Sequence, residues 1–208
     1  MEFFGLKLDE SVVKVLLELE KVEGFWHIPR SSGVLLAGLV GCLGFNRVLE
    51  VGTSSGYSGI FLADALRSRA EEFGVDARLY TIESHDLRFK FGGENFKSAG
   101  VDAFVERIKG HAPEVIYEKF YEDKSELRVK SEFAGFFDMI FIDATKMEYF
   151  SYVKAIYPLI REDGLIVLDN FLSHSADMEG LLSQMSTLGL SETFLLPIDN
   201  GLFFCFKG

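Results

Sequence analysis

Cysteine is scarce in this chain, with two in 208 residues, Cys42 and Cys205. They do not stand at metal-ligand spacing, and each lies in an apolar run, so both are expected to be buried free thiols. Cations are in short supply too: 21 Lys+Arg stand against 32 Asp+Glu, a formal charge of −11. With no basic stripe to neutralise a row of phosphates, an extended nucleic-acid contact is not expected. Long hydrophobic runs are missing. The longest, over 34–45, has 12 residues, where a bilayer span needs about 20. Residues 1–10 hold no apolar core followed by a small-residue cleavage site, which argues against a secretory leader. A soluble, cytoplasmic chain that does not engage a membrane is expected.

The length fits one α/β domain with a substantial core and leaves little room for a second. A single domain over 1–208 is therefore expected, with N-terminal helices in 1–44 and a ligand-binding core in 45–208. Asp9 stands where it can cap a helix whose apolar positions Val12, Val13, Leu16, Leu17 and Leu19 share a face, and a second helix is expected over 32–44. Strands rich in β-branched and aromatic residues follow at 47–51, 78–83, 105–109, 137–143 and 165–169. Helical stretches at about 57–73, 86–99, 113–122 and 147–160 separate them. Such alternation is the signature of a parallel sheet covered on both faces. Near the end, 192–198 and 202–207 read as two strands joined by the tight turn Asp199-Asn200-Gly201, so they are antiparallel. The polar segment 117–132 reads as a surface insertion.

Three constellations carry chemistry. In Val48-Leu49-Glu50-Val51-Gly52-Thr53-Ser54-Ser55-Gly56-Tyr57-Ser58 a buried strand meets a glycine turn and a helix start, where backbone N–H groups can approach a ligand. The spacing is G-x-x-x-G, not the G-x-G-x-x-G of dinucleotide folds. Glu50, two residues before the first glycine, would repel a pyrophosphate and welcome the ammonium of an amino acid. Next, Glu83 ends the second strand, where a carboxylate can accept both hydroxyls of a ribose; otherwise it is a strand-end acid facing solvent. Last, Phe141-Ile142-Asp143-Ala144-Thr145-Lys146 and Val167-Leu168-Asp169-Asn170 end two strands expected to be neighbours. Three oxygen donors there suit a hard cation such as Mg²⁺, Mn²⁺ or Ca²⁺, although such residues often only cap the next turn.

Taken together, Leu49-Glu50-Val51-Gly52, Gly56-Tyr57-Ser58, Ile82-Glu83, Asp143-Ala144, Lys146, Tyr149, Asp169-Asn170 and Leu196-Pro197 with Asn200-Gly201-Leu202 resemble the metal-dependent O-methyltransferases, the family of catechol and caffeoyl-CoA O-methyltransferases. The likeness runs from about Ile28 to Lys207. It implies a Rossmann-like, doubly wound α/β fold with a mostly parallel seven-stranded sheet and an antiparallel C-terminal strand. It also implies S-adenosylmethionine as cofactor, a divalent cation, a small hydroxylated acceptor and a homodimer. Glu50, Gly52, Ser54, Tyr57 and Ser58 would surround the methionine part of the donor, and Glu83 its ribose. His111 and Ala112 would lie against the adenine. Asp143 would border the donor and, with Asp169 and Asn170, bind the metal, while Lys146 would be the base. Trp26 falls where the family often has a methionine near donor and acceptor. Phe203 stands where catechol methylation uses an acidic residue, and fewer than fifty residues precede the glycine motif, so the acceptor is left open. Competing readings are methylation of a hydroxylated transfer-RNA nucleoside, a donor-binding module without catalysis, and an NAD-dependent dehydrogenase, the last disfavoured by the glycine spacing.

Overall fold

The computed structural model describes every residue except Met1, Phe4, Gly5, Trp26, Asp177 and Glu179, together with the side chains of Glu2, Phe3 and Ser191. The expectation for Trp26 therefore lies outside the described residues. Two compact units divide the chain, residues 1–109 and 110–208.

The first unit contains β1 (Glu2–Phe3), β2 (Leu6–Lys7), α1 (Glu10–Leu19), α2 (Arg30–Leu43), β3 (Arg47–Val51), α3 (Tyr57–Phe73), β4 (Arg78–Glu83), α4 (Asp86–Ala99) and β5 (Val105–Lys109). On α1 the residues Val12, Val13, Leu16 and Leu19 are buried, each worth about 1.5–3 kcal/mol relative to exposure. Asp9 stands at the N-cap position but makes no capping hydrogen bond. Its carboxylate pairs instead with Arg67 of α3, because a long-range cation outcompetes the local N–H groups. β3, β4 and β5 run parallel in a register that sets Glu50 opposite Thr81 and Val51 opposite Ile82. All but the first residue of β3 and of β4 are buried, as a strand covered on both faces requires.

The second unit contains α5 (Glu114–Phe120), β6 (Tyr121–Asp123), β7 (Arg128–Val129), β8 (Phe137–Ile142), α6 (Tyr149–Ile156), β9 (Ile160–Leu168), α7 (Leu181–Ser186), β10 (Leu190–Leu196) and β11 (Leu202–Lys207). The expected insertion is a small hairpin, β6 against β7. Its charged residues pair with one another, Arg128 with Glu122 at 3.3 Å and Glu126 at 3.1 Å, while Phe120 and Tyr121 beside it are buried. β9 begins five residues earlier than the apolar run suggests: Ile160 pairs with Phe137, and a register shift before Met139 absorbs the polar residues between. The helix expected to reach 160 ends at Ile156 and gives way to a 3-10 turn holding Pro158, which has no N–H to continue the ladder. Cys205 is buried as expected, whereas Cys42 is exposed on α2, since an apolar run longer than one helix face cannot be buried all round.

Seven strands form one sheet in the order β10-β11-β9-β8-β3-β4-β5. β11 runs antiparallel to both β9 and β10, so the fold is the mostly parallel, doubly wound α/β arrangement with a reversed C-terminal strand. Among the described residues no helix is long and apolar enough to cross a membrane.

Candidate active site

In the first unit the Gly52–Ser58 turn follows β3, and Gly52 and Thr53 both donate their N–H to Ile82 O, which fixes the turn on the end of β4. Ser54 adopts φ +49 and Gly56 φ +86, a left-handed path that opens the N-terminus of α3. A Cβ on Gly92 of α4 would lie 3.2 Å from Ser54 O, so α4 comes this close to the turn only because Gly92 has no side chain. Asn95 completes the support, donating Nδ2–H to Ser55 O at 2.8 Å. Gly92 and Asn95 were not expected from the sequence, where a glycine pair inside a helix reads only as weak propensity.

Both acids of this region are buried, Glu50 fully and Glu83 at 6% exposure. Glu50 accepts hydroxyl hydrogen bonds from Ser58 and Thr81. Thr81 is a further site residue, legible only once the register places it opposite Glu50. Glu83 is not a solvent-facing strand end: its two oxygens accept the N–H groups of Ser54 and His85, each at 2.8 Å. An ionised carboxylate oxygen has more than one acceptor position, so each can still take a hydroxyl. Tyr57 is buried and donates its hydroxyl to Glu20 at 2.5 Å. Burial first, then the Glu20 charge, push its pKa upward.

The second unit gathers Asp143, Lys146, Asp169 and Asn170 at the carboxyl ends of β8 and β9. The buried Tyr149 hydroxyl lies 3.2 Å from both Ile142 O and Asp169 O, and Asp169 N–H donates to Ile142 O at 3.0 Å, so the two strand ends are locked together. Lys146 Nζ donates to Asp143 Oδ1 at 2.9 Å. Asn170 has φ +63, an uncommon conformation for a residue with a Cβ and one that clusters at functional positions. Asp169 is 1% exposed, and its Oδ1 has no hydrogen-bond partner. Burial, then the charges of Asp143 and, more weakly, Asp199, push its pKa up to about 7, against the Asn170 N–H and Lys146. A buried, partnerless carboxylate oxygen is costly, and a cation is the group that would complete it. Among the described residues no cluster of three or more His, Cys, Asp and Glu side chains offers a metal site. Asp143, Asp169 and Asn170 carry two carboxylates and one amide, oxygen groups of the kind that Mg²⁺ or a similar ion prefers.

His111 reaches Glu148 Oε1 at 3.3 Å, and Glu148 also accepts the Tyr152 hydroxyl. This ties His111 to the turn that carries Lys146; Ala112 beside it is buried. Phe203 is buried and stacked on Phe171 at 4.4 Å.

A family model described as O-methyltransferase matches residues 9–188. Caffeoyl-CoA O-methyltransferase of Medicago sativa is 29% identical over 150 residues, 71% of this chain and 55% of that protein. Catechol O-methyltransferase of Mycobacterium tuberculosis is 29% identical over 145 residues, 70% and 57% respectively. The match thus spans little more than half the length of these relatives. Among solved structures, SAH-bound methyltransferase PaMTH1 of Podospora anserina superposes with a TM-score of 0.74 at 21% identity, covering 97% of this chain and 89% of that one.

Proposed function

Because the chain belongs to the O-methyltransferase family, we propose that it transfers the methyl group of S-adenosylmethionine to a hydroxyl oxygen of a small acceptor bearing neighbouring hydroxyls, with the help of a divalent cation. The observation that carries the metal-dependent reading is the buried, partnerless Oδ1 of Asp169. Asp143, Asp169 and Asn170 would hold the ion, and its charge, when bound, supplies the stabilisation that makes an acceptor hydroxyl acidic at neutral pH.

The chain's own residues do the rest. Glu50, held ready by Ser58 and Thr81, suits the ammonium of the donor, while Glu83 takes the ribose hydroxyls on the lone pairs left by its two backbone contacts. Lys146, once its own proton has passed to solvent, leaves Asp143 for the acceptor as a neutral amine and receives the hydroxyl proton at Nζ. The oxyanion so formed displaces the sulfonium, and the C–S electron pair leaves on sulfur, giving S-adenosylhomocysteine. Orientation supplies most of the rate, since the attacking oxygen must lie in line with the departing sulfur. The relatives' names support phenolic acceptors, whereas the buried Phe203 argues against a strict catechol site of the kind that uses an acid there.

Methyl incorporation from labelled donor into 3,4-dihydroxybenzoate tests this reading. Activity is expected with Mg²⁺ and lost in EDTA. Full activity after exhaustive chelation would show that Asp169 serves no cation.

A further inference from the structure

Two hydroxyl donors of the Gly52–Ser58 turn are directed at protein carboxylates, whereas the Thr53 hydroxyl lies 2.5 Å from that of Thr81 and Ser55 Oγ is buried without a hydrogen-bond partner. Ser58 donates to Glu50 and Tyr57 to Glu20, and the backbone N–H of Ser54 goes to Glu83. An amino-acid ligand arriving here brings an ammonium, which the acids suit, and a carboxylate, which needs a donor of its own.

His27 supplies one. Its ring stacks on Tyr57, with centroids 5.0 Å apart and planes 23° from parallel. Phe25 stacks on the same imidazole at 6.2 Å and packs on Phe91 at 5.0 Å. Within this stack His27 Nε2 is buried and has no hydrogen-bond partner. A buried polar atom without a partner calls for an explanation, and a ligand group is one that suits its place beside Tyr57. Burial lowers the pKa of His27, with the Glu20 charge opposing, which favours the neutral imidazole with its one N–H. Among the described residues, Glu20 is the charged group that acts on it and Tyr57 the titratable ring stacked on it. The Arg30 guanidinium donates to Glu20 at 2.9 Å, which leaves that cation balanced by its own acid.

We propose that His27 Nε2 donates a hydrogen bond to the α-carboxylate of the methyl donor and so fixes the amino-acid end of that molecule against Tyr57. The assignment rests on the donor reading given above. It adds to the turn a residue from the segment before α2, outside the glycine motif.

Calorimetry with S-adenosylhomocysteine and its decarboxylated analogue, on the unaltered chain and on H27F, H27Q and H27A, tests it. H27F keeps an aromatic ring to stack on Tyr57 but has no N–H. It should bind S-adenosylhomocysteine about 10-fold more weakly or worse, and the analogue within about twofold of the unaltered chain, the difference a hydrogen bond to a charged group makes. H27A should behave likewise, and H27Q, whose amide N–H reaches about as far as Nε2, should recover most of the loss. Equal losses for the two ligands, or unchanged S-adenosylhomocysteine affinity in H27F, would overturn the assignment while leaving the donor site intact. If the unaltered chain binds neither ligand, the donor reading fails and this contact with it.

Discussion

Glu50 and Glu83 in the first unit and Asp169 in the second are all buried strand-end acids, yet their surroundings differ. The first two are met by hydroxyls and backbone N–H groups, so the turn around them is held in shape by the protein alone. Asp169 keeps one oxygen with no partner and lies near the charges of Asp143 and Asp199. The difference teaches what each region waits for. A carboxylate already supported can receive a cationic or hydroxylated ligand with little rearrangement, whereas an incomplete one costs stability until a cation arrives.

The largest effect should come from the second region. Lys146→Ala removes the group placed against Asp143 and should lower kcat by about 10²–10⁴ if Lys146 is the general base, with a much smaller change in S-adenosylhomocysteine affinity. Alkaline pH should partly rescue it, because prior ionisation of the acceptor replaces the lost base. Steady-state kinetics with a verified acceptor across pH decides this, and near-normal kcat in Lys146→Met at neutral pH would reduce Lys146 to a partner of Asp143. In the first region, Glu83→Ala should weaken S-adenosylhomocysteine by about 1–3 kcal/mol, the usual cost of lost charged hydrogen bonds. Part of that would come from releasing Ser54 and His85, so calorimetry should be paired with a melting curve. Unchanged affinity would remove the ribose assignment.

The sequence makes the second region's residues easier to read than their state. β3, β4 and β5 and the helices α3 and α4 stand where periodicity and flanking glycines put them, because each is a local pattern closed by a local stop. Asp143, Lys146, Asp169 and Asn170 are legible as strand-end residues with a family spacing. What could not be read is long-range: that Asp9 leaves its helix for Arg67, that Thr81 faces Glu50, that His27 lies on Tyr57, and that β9 begins at Ile160 through a register shift. None of these has a signature within a window of a few residues. Cys42 was misjudged for a related reason, since hydrophobicity alone does not say which face of α2 is covered.

The remaining effect, of about the same size as that of Glu83→Ala, is the one that most sharpens the comparison. In the cation-free chain the carboxyl of Asp169 ionises near pH 7 when folded and near 4 when unfolded, an ordinary aspartate value. Between those values the folded state holds the proton that the unfolded state has lost, so stability falls as pH rises from about 4 to about 7 and then levels off. Asp169→Asn cannot ionise and should remove that slope. It should melt higher than the parent at pH 8 without metal, by an amount worth about 1–3 kcal/mol, with little difference at pH 4. Mg²⁺ should reverse the order by raising the parent's melting temperature, more at pH 8 than at pH 5 because the ion needs the ionised carboxylate, while leaving Asp169→Asn nearly unmoved. Melting curves at the two pH values, with EDTA and with Mg²⁺, give all four numbers. An Asp169→Asn chain less stable than the parent at pH 8 in EDTA would mean that the buried oxygen is already satisfied, and the contrast between the two regions would fall.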